Sequence, residues 1–409
     1  MSKECEETGS GFIDELIQRL IKDKPKNFRD EKINEFLGCP KNKQTIVGKT
    51  VPGYLAGLYS LAVESIIKNQ DFFITNLSRE GEQPPRYTNC QTGHGQEANY
   101  LLEGFYFIKQ ECPMVIGVEP VPMAFSIEVY LPKNKKSIGI DFLKEIDIWA
   151  KKNNFYKGKA IEAKRQYGDL YFDFLAPINK NWDDIILSKT QIDEISENIL
   201  VPIEHSDIMR NLNKTATRGV LFIGKPGTGK TLFLKILCEE VKSHTRIWVS
   251  SSTLSGSVVS QIFDAARDLK PSILILEDFD LVGRDREVSN SESLGNLLME
   301  LDGQKSNDDL IILITSNNPK TIDNALMRPG RIDRTIEFLI PDEHQRYSLL
   351  KLFLKEYKSN IDIKKLAKET DGYTGADLKE LVTSAILRAI RREPKNPQIV
   401  DSDFKSHSF

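Results

Sequence analysis

An apolar run, Val220-Leu221-Phe222-Ile223, leads straight into Gly224-Lys225-Pro226-Gly227-Thr228-Gly229-Lys230-Thr231, and a second apolar run opens at Leu232. The octet fits G-x-x-x-x-G-K-[ST], and the flanking runs supply the strand and the helix that a phosphate-cradling turn requires. A triphosphate needs several donors at close range. Gly227 and Gly229 let backbone N–H groups curl around it with no Cβ in the way, and a helix opening near Gly229 adds the positive end of its dipole. Lys230 then serves as a flexible point charge for the β- and γ-phosphates, and the Thr231 hydroxyl offers one ligand to Mg²⁺.

Downstream, Ile273-Leu274-Ile275-Leu276 reads as a buried strand that delivers Glu277 and Asp278 at its carboxyl end, where the phosphate turn of an open α/β sheet also lies. Two carboxylates beside a triphosphate divide the work: one holds the hydrated Mg²⁺ and the other polarises the water for in-line attack on the γ-phosphorus. Leu310–Thr315 carries Asn317 past its end, where a neutral amide can orient that water or touch the γ-phosphate. Arg328 and Arg331 follow, three apart around a Pro-Gly turn. Guanidiniums on a turn are most often solvated, but the transition state of phosphoryl transfer rewards a cation near its equatorial oxygens. If these two cannot reach their own nucleotide, they serve a neighbour's.

The elements that must position these groups follow from the pattern. Strand-like runs at 218–223, 246–249, 272–276, 310–315 and 335–338 alternate with helical stretches, which implies a parallel sheet with covering helices. After Pro341 the pattern turns helical, with Asp342-x-x-Gln345 and Thr374-x-x-Asp377 as helix starts. The expected organisation is therefore an α/β fold in three parts: a mixed α/β N-terminal domain over residues 1–177, an αβα nucleotide-binding subdomain over 178–341, and a helical lid over 342–409. Within the first part, Phe12–Ile21 and Asp141–Lys152 have amphipathic helical spacing, Leu55–Ile67 is helix-like, and 72–74, 114–118, 125–131, 159–163 and 170–175 are strand-like. His94, between two glycines, reads as a polar loop residue.

Composition narrows the class. With 56 basic and 59 acidic residues among 409, the net charge of −3 gives no overall attraction to phosphate polymers or anionic membranes. Nucleic acid would need a local patch, and Arg388, Arg391, Arg392 and Lys395 read instead as cations complementing a helix end. Cys5, Cys39, Cys90, Cys112 and Cys238 are scattered, without a C-x-x-C pair, and read as free thiols. No apolar run reaches membrane-spanning length, and the polar start is no signal peptide, so the expectation is a cytoplasmic protein.

Taken together, WDDI (182–185), GKPGTGKT (224–231), LILEDFD (274–280), LLMELDG (297–303), TSNNP (315–319), NALMRPGRIDRTIEF (324–338), PDEHQR (341–346) and GYTGADL (372–378) resemble the AAA ATPases, ring-forming members of the AAA+ superfamily. The resemblance covers about residues 182–404. It implies a P-loop NTPase core with a helical lid, ATP and Mg²⁺ bound between subunits of a homo-oligomeric ring, hexameric in the family, and ATP-driven remodelling or disassembly of protein complexes. It assigns Gly224 through Leu232 to the phosphates, with Lys230 and Thr231 central. It places the backbone of Asp184 and Ile185 by the adenine and Gly375-Ala376 over the nucleotide, and makes Asn317 a sensor residue and Arg328 and Arg331 fingers acting in trans. By register Glu277, with Thr231, takes the metal role and Asp278 the water-activating role.

Two departures stand out. The acidic pair runs Glu-Asp where the family usually has Asp-Glu, an order shared with members that resemble chaperones of membrane-complex assembly; a shorter base predicts slower hydrolysis. Between Val249 and Ile262 the family places an aromatic pore loop that grips polypeptide, whereas this chain has a shorter SSSTLSGSVVSQ with Leu254 its one sizeable apolar residue. Partner remodelling through a recognition role of the N-terminal domain gains weight accordingly. The competing readings are a nucleotide-gated scaffold that turns over slowly or not at all and, less favoured by charge, a nucleic-acid-dependent motor.

Overall fold

The computed structural model describes residues 27–166, 168–213, 217–254, 258–281, 289–302, 307–319, 322–323, 325–328 and 330–404. Cys5, the amphipathic stretch at Phe12–Ile21, Gly303, Asn324 and Pro329 lie outside them. The chain divides into two compact units: residues up to Cys90 with Glu97–Asn154, and Gln91–Gln96 with the residues from Phe155 onward.

The first unit is built on an antiparallel sheet of β1 (Gln44–Pro52), β2 (Asp71–Leu77), β3 (Glu82–Gln83), β4 (Arg86–Gly93), β5 (Gln96–Lys109), β6 (Met114–Val121) and β7 (Ala124–Pro132). Their order is β1-β7-β6-β5-β2-β3, with β4 paired to β5. Period-two patterning sends alternate residues to opposite faces, and each face has its own cover. On one face α1 (Phe28–Leu37) packs Ile33 and Leu37 against Phe105, Phe107 and Tyr130. On the other lie α2 (Ala56–Ile67) and α3 (Lys136–Lys152). Gly139 lets α3 approach closely, since a Cβ there would stand 2.4 Å from Val47 Cγ2 and 2.6 Å from Leu131 Cδ1. His94 is exposed in the turn between β4 and β5.

The second unit runs β8 (Ala160–Gln166), β9 (Asp169–Phe174), α4 (Lys189–Ile195), β10 (Arg218–Ile223), α5 (Lys230–Glu240), β11 (Thr245–Val249), α6 (Val258–Asp268), β12 (Ser272–Leu276), α7 (Ser289–Leu301), β13 (Leu310–Ser316) and β14 (Arg334–Glu337), then the helices α8 (Glu343–Leu354), α9 (Ile363–Glu369) and α10 (Gly375–Arg392). The sheet order is β14-β10-β13-β12-β11-β8-β9. All neighbours are parallel except the β8/β9 hairpin. Every residue of β11, β12 and β13 is buried, the mark of strands covered on both faces. Phe222, Phe233 and Phe338 meet ring to ring in the core between β10, α5 and the end of β14.

The boundary differs from the 177/178 division expected from the linker-like Pro177–Asn181. Ala160–Ala163 pair in parallel register with Arg246–Val249, so β8 and β9 extend the sheet of the second unit, whose long C-terminal stretch begins at Phe155. The stretch 177–181 is itself anchored, Ile178 N–H donating to Glu239 at 3.1 Å. Long-range strand pairing outweighs local composition here, because a parallel edge offers backbone groups that must be satisfied. The C-terminal helices have their own core of Leu350, Leu354, Leu378, Leu381 and Ala385. Asp342 and Thr374 form the expected capping boxes. Arg388 and Arg392 are not merely solvated: Arg388 donates to the Asp403 carbonyl at 2.5 Å and Arg392 pairs with the Asp403 carboxylate, so both fasten the C-terminal turn to α10.

Candidate active site

The carboxyl ends of β10, β12 and β13 lie side by side and deliver three loops to one edge of the sheet. After β10 the chain turns through Gly224–Gly229 and enters α5 at Lys230, with Gly227 and Gly229 at φ +80° and +105°, a region that favours glycine. Gly224 is required by proximity instead: a Cβ there would stand 2.3 Å from the Phe338 carbonyl oxygen. Lys230 is buried, and its Nζ donates to the carbonyls of Gly224 and Lys225 at 2.7 and 3.0 Å. Burial holds its pKa below the ordinary lysine value, opposed by the negative field of Asp278 and Asp280.

Beyond β12, Glu277 is half-buried and accepts a hydrogen bond from Thr231. Burial pushes its pKa up, the Thr231 bond pulls it back, and the charge of Asp278 raises it again. Asp278 sits at φ +48°, a left-handed conformation that Asp tolerates better than most residues. Its N–H donates to Thr315 Oγ1 at 3.0 Å, and Asn317 Nδ2 donates to its Oδ1 at 3.0 Å. Asn317 is fixed in turn by its own N–H, which donates to the buried carboxylate of Asp280 at 2.9 Å. Thr315 and Asp280 were not singled out from sequence, although both stand inside quoted motifs, TSNNP and LILEDFD. Their roles depend on the neighbouring strand, which the linear order does not show.

These loops open on a cavity of about 870 Å³. Pro226–Leu232 form its floor, Asp278 and Asn317 one wall, Asp184 and Ile185 another, and Gly375 and Ala376 at the start of α10 the roof. The roof is close: Ala376 N–H donates to the Gly227 carbonyl at 3.1 Å, and a Cβ on Gly227 would stand 2.7 Å from Ala376 Cβ. Asp184 is held by Lys180 at 2.8 Å, and that bond lowers its pKa. Gly224, Lys225 and Glu277 do not line the cavity.

The arginine turn is elsewhere. The Arg331 carbonyl packs on Gly219 at the start of β10, where a Cβ would meet it at 1.9 Å, while the phosphate turn leaves the strand's other end. Five strand residues separate the two by about 16 Å. Neither Arg328 nor Arg331 lines the cavity. They also differ from each other. Arg328 is exposed, whereas the Arg331 guanidinium grips both oxygens of Asp302 and donates to the Ala325 carbonyl at 2.6 Å. In the shortened loop after β11, Leu254 is buried and Thr253 Oγ1 donates to the Ala163 carbonyl of β8 at 3.4 Å, so the described part of this loop packs on its own sheet.

Residues 220–339 match the family model described as "ATPase family associated with various cellular activities (AAA)", and residues 360–406 match the AAA+ lid domain. This is the domain architecture of an AAA+ ATPase. A proteasome-activating nucleotidase of Pyrococcus abyssi is 33% identical over 250 residues, 58% of this chain and 62% of that protein. The 26S proteasome regulatory subunit 8 homolog B of Arabidopsis thaliana is 35% identical over 232 residues, covering 53% of this chain and 55% of the relative. The chain thus spans about three fifths of the length of the archaeal nucleotidases it matches. AAA+ domains as a family bind ATP with Mg²⁺ and often assemble into hexameric rings, and the first unit lies outside both matched regions. Among the described residues no helix is long and apolar enough to cross a membrane.

Proposed function

We propose that this protein is a Mg²⁺-dependent ATP hydrolase that works as a ring and remodels or disassembles protein complexes recruited by its first unit. The observation that carries the reading is the convergence of Lys230, Asp278 and Asn317 on one cavity whose floor is a glycine turn that an added Cβ would close against the lid. The residues fit the nucleotide and the metal: the floor offers N–H donors and an ammonium, and the Thr231 hydroxyl with the Glu277 carboxylate behind it makes an oxygen donor set suited to Mg²⁺. Held by Thr231 and Glu277, Mg²⁺ would supply neutralisation of the charge that develops on the phosphates.

The chain's own residues do the rest. Lys230 fixes the phosphates from the helix start, and Asp184-Ile185 and Gly375-Ala376 enclose the base and ribose from two sides. Asp278 takes the proton of the attacking water on its carboxylate, and Asn317 aims that carboxylate and reports on the γ-phosphate. Desolvation raises the pKa of Glu277, and a cation held beside it would offset that cost. Arg328 reaches the nucleotide of an adjacent subunit, and Arg331, clamped by Asp302, orients the turn that presents it and completes the trans-acting pair.

Turnover of the full chain across the assembly range of concentration tests this reading. Activity per subunit should climb with concentration and be lost in Lys230→Ala and Asp278→Asn. Wild-type turnover indistinguishable from both variants overturns the hydrolase in favour of a nucleotide-gated scaffold.

A further inference from the structure

The outer surface of α3 carries a pattern that the nucleotide chemistry does not use. Lys136, Ile140, Lys144, Ile148 and Lys152 recur every fourth residue and so form one ridge along the helix, about 24 Å long at 1.5 Å per residue. Lys136, Lys144 and Lys151 of the helix and the two lysines leading into it, Lys133 and Lys135, are all exposed. The inner side of the same helix is accounted for, since Phe142, Ile146 and Ala150 are buried in the unit's core. Yet Ile148 is left 67% exposed and Ile140 38%. Isolated apolar residues on a surface are ordinary. Two isoleucines in register between lysines, on a helix whose core face is already filled, are a different arrangement.

Around the ridge positive charge exceeds negative. Asp141 and Glu145 lie one position off it, and Lys144 pairs with Asp141 at 2.9 Å. Asp147 is turned inward to Lys49 and Tyr59. Lys68, just past the end of the neighbouring α2, is exposed, and Glu64 of α2 is engaged by the Tyr106 hydroxyl. Against a chain of net charge −3, this face concentrates positive charge locally.

We propose that this face of the first unit lies on an anionic lipid surface. The charge favours acidic headgroups, and the isoleucines favour a bilayer over nucleic acid. Their methyl groups enter the boundary between headgroup and acyl chain, while the flanking lysine stems lie along it with their ammonium groups in the headgroup layer. Each lysine near an anionic leaflet strengthens binding by about fivefold, so the attraction is reversible and falls with salt.

Co-sedimentation of the full chain with vesicles tests this. At ~0.1 M salt, wild type should bind vesicles of phosphatidylcholine with about a third phosphatidylserine and should not bind phosphatidylcholine alone. Lys136→Glu/Lys144→Glu/Lys152→Glu should weaken binding by roughly a hundredfold or more, three lysines' worth. Ile148→Ser should weaken it several-fold with the salt dependence kept. ATP turnover of these variants, all outside the nucleotide site, should match wild type and so reports that the chain has folded. Failure of wild type to bind the anionic vesicles overturns the proposal, as does equal binding by wild type and the folded triple variant. Lysine-dependent binding to a polynucleotide without binding to vesicles overturns it in favour of a nucleic-acid face.

Discussion

The phosphate turn and the arginine turn are attached to opposite ends of one strand, β10, and their cations are handled in opposite ways. At the carboxyl end, Lys230 is withdrawn from solvent onto backbone carbonyls and faces a cavity that two acidic loops share. At the amino end, Arg331 is neutralised by Asp302 and Arg328 is exposed outside that cavity. A buried cation that donates to backbone carbonyls beside a cavity is prepared for an anionic ligand. A cation already paired holds structure. On the proposed function, the difference divides the candidate catalytic residues into a set gathered on one cavity of the subunit and a pair that would serve a second copy.

The largest effect expected from breaking this arrangement is at Arg328. Arg328→Ala should reduce turnover by about 10³-fold or more, within the range of arginine fingers, with ATP binding retained. Mixing it with Lys230→Ala subunits, which keep their arginines, should restore turnover at mixed interfaces. Co-assembly without any recovery would show that the arginines act within their own subunit. Next is Asp302→Ala, which leaves the Arg331 guanidinium without its carboxylate. Turnover should fall about tenfold through misplacement of the arginine turn, with the KM for ATP unchanged; a raised KM instead would mean that the two turns are coupled within the chain.

A smaller effect is expected at the lid. Gly227→Ala puts a methyl group against Ala376 and a side chain at positive φ. It should lower stability by about 1 kcal/mol and open the roof, weakening nucleotide affinity more than the rate at saturation. Titration of a fluorescent nucleotide and a saturating rate separate the two.

The smallest concerns Glu277, whose pKa is raised by burial. The folded chain therefore binds more protons than the unfolded chain between the unfolded and folded values, and stability falls as pH rises through that window. Glu277→Gln should raise the thermal midpoint of the nucleotide-free protein modestly at about pH 8, and the gain should vanish toward about pH 4. A variant less stable than wild type at both pH values would show that the Thr231 bond outweighs desolvation.

Much of the second unit was legible because its signals are local. A glycine turn announces itself, four apolar residues ending in Glu-Asp mark a buried strand with acids at its tip, and Asp342 and Thr374 satisfy the first N–H groups of the helices they precede. The first unit was harder. Its helices α2 and α3 and the strands β2, β6 and β7 were visible, but β1, β4 and much of β5 carry polar or glycine-bearing stretches whose strand character comes from their neighbours in the sheet.

What the residues alone determined, then, is the chemistry available: an ammonium and a hydroxyl at the end of a glycine turn, two carboxylates at a strand end, an amide at another, and two arginines on a turn. These are fixed by residue type and spacing within a few residues. Tertiary structure decided which of them meet. It set Asn317 on Asp278, tied Asp280 to the same loop, gave Arg331 to Asp302, packed Leu254 away, and drew β8 and β9 across an expected domain boundary. Each of those contacts joins residues far apart in the chain. It forms because strand pairing and burial leave polar groups that must find a partner, and no local pattern records which partner that is.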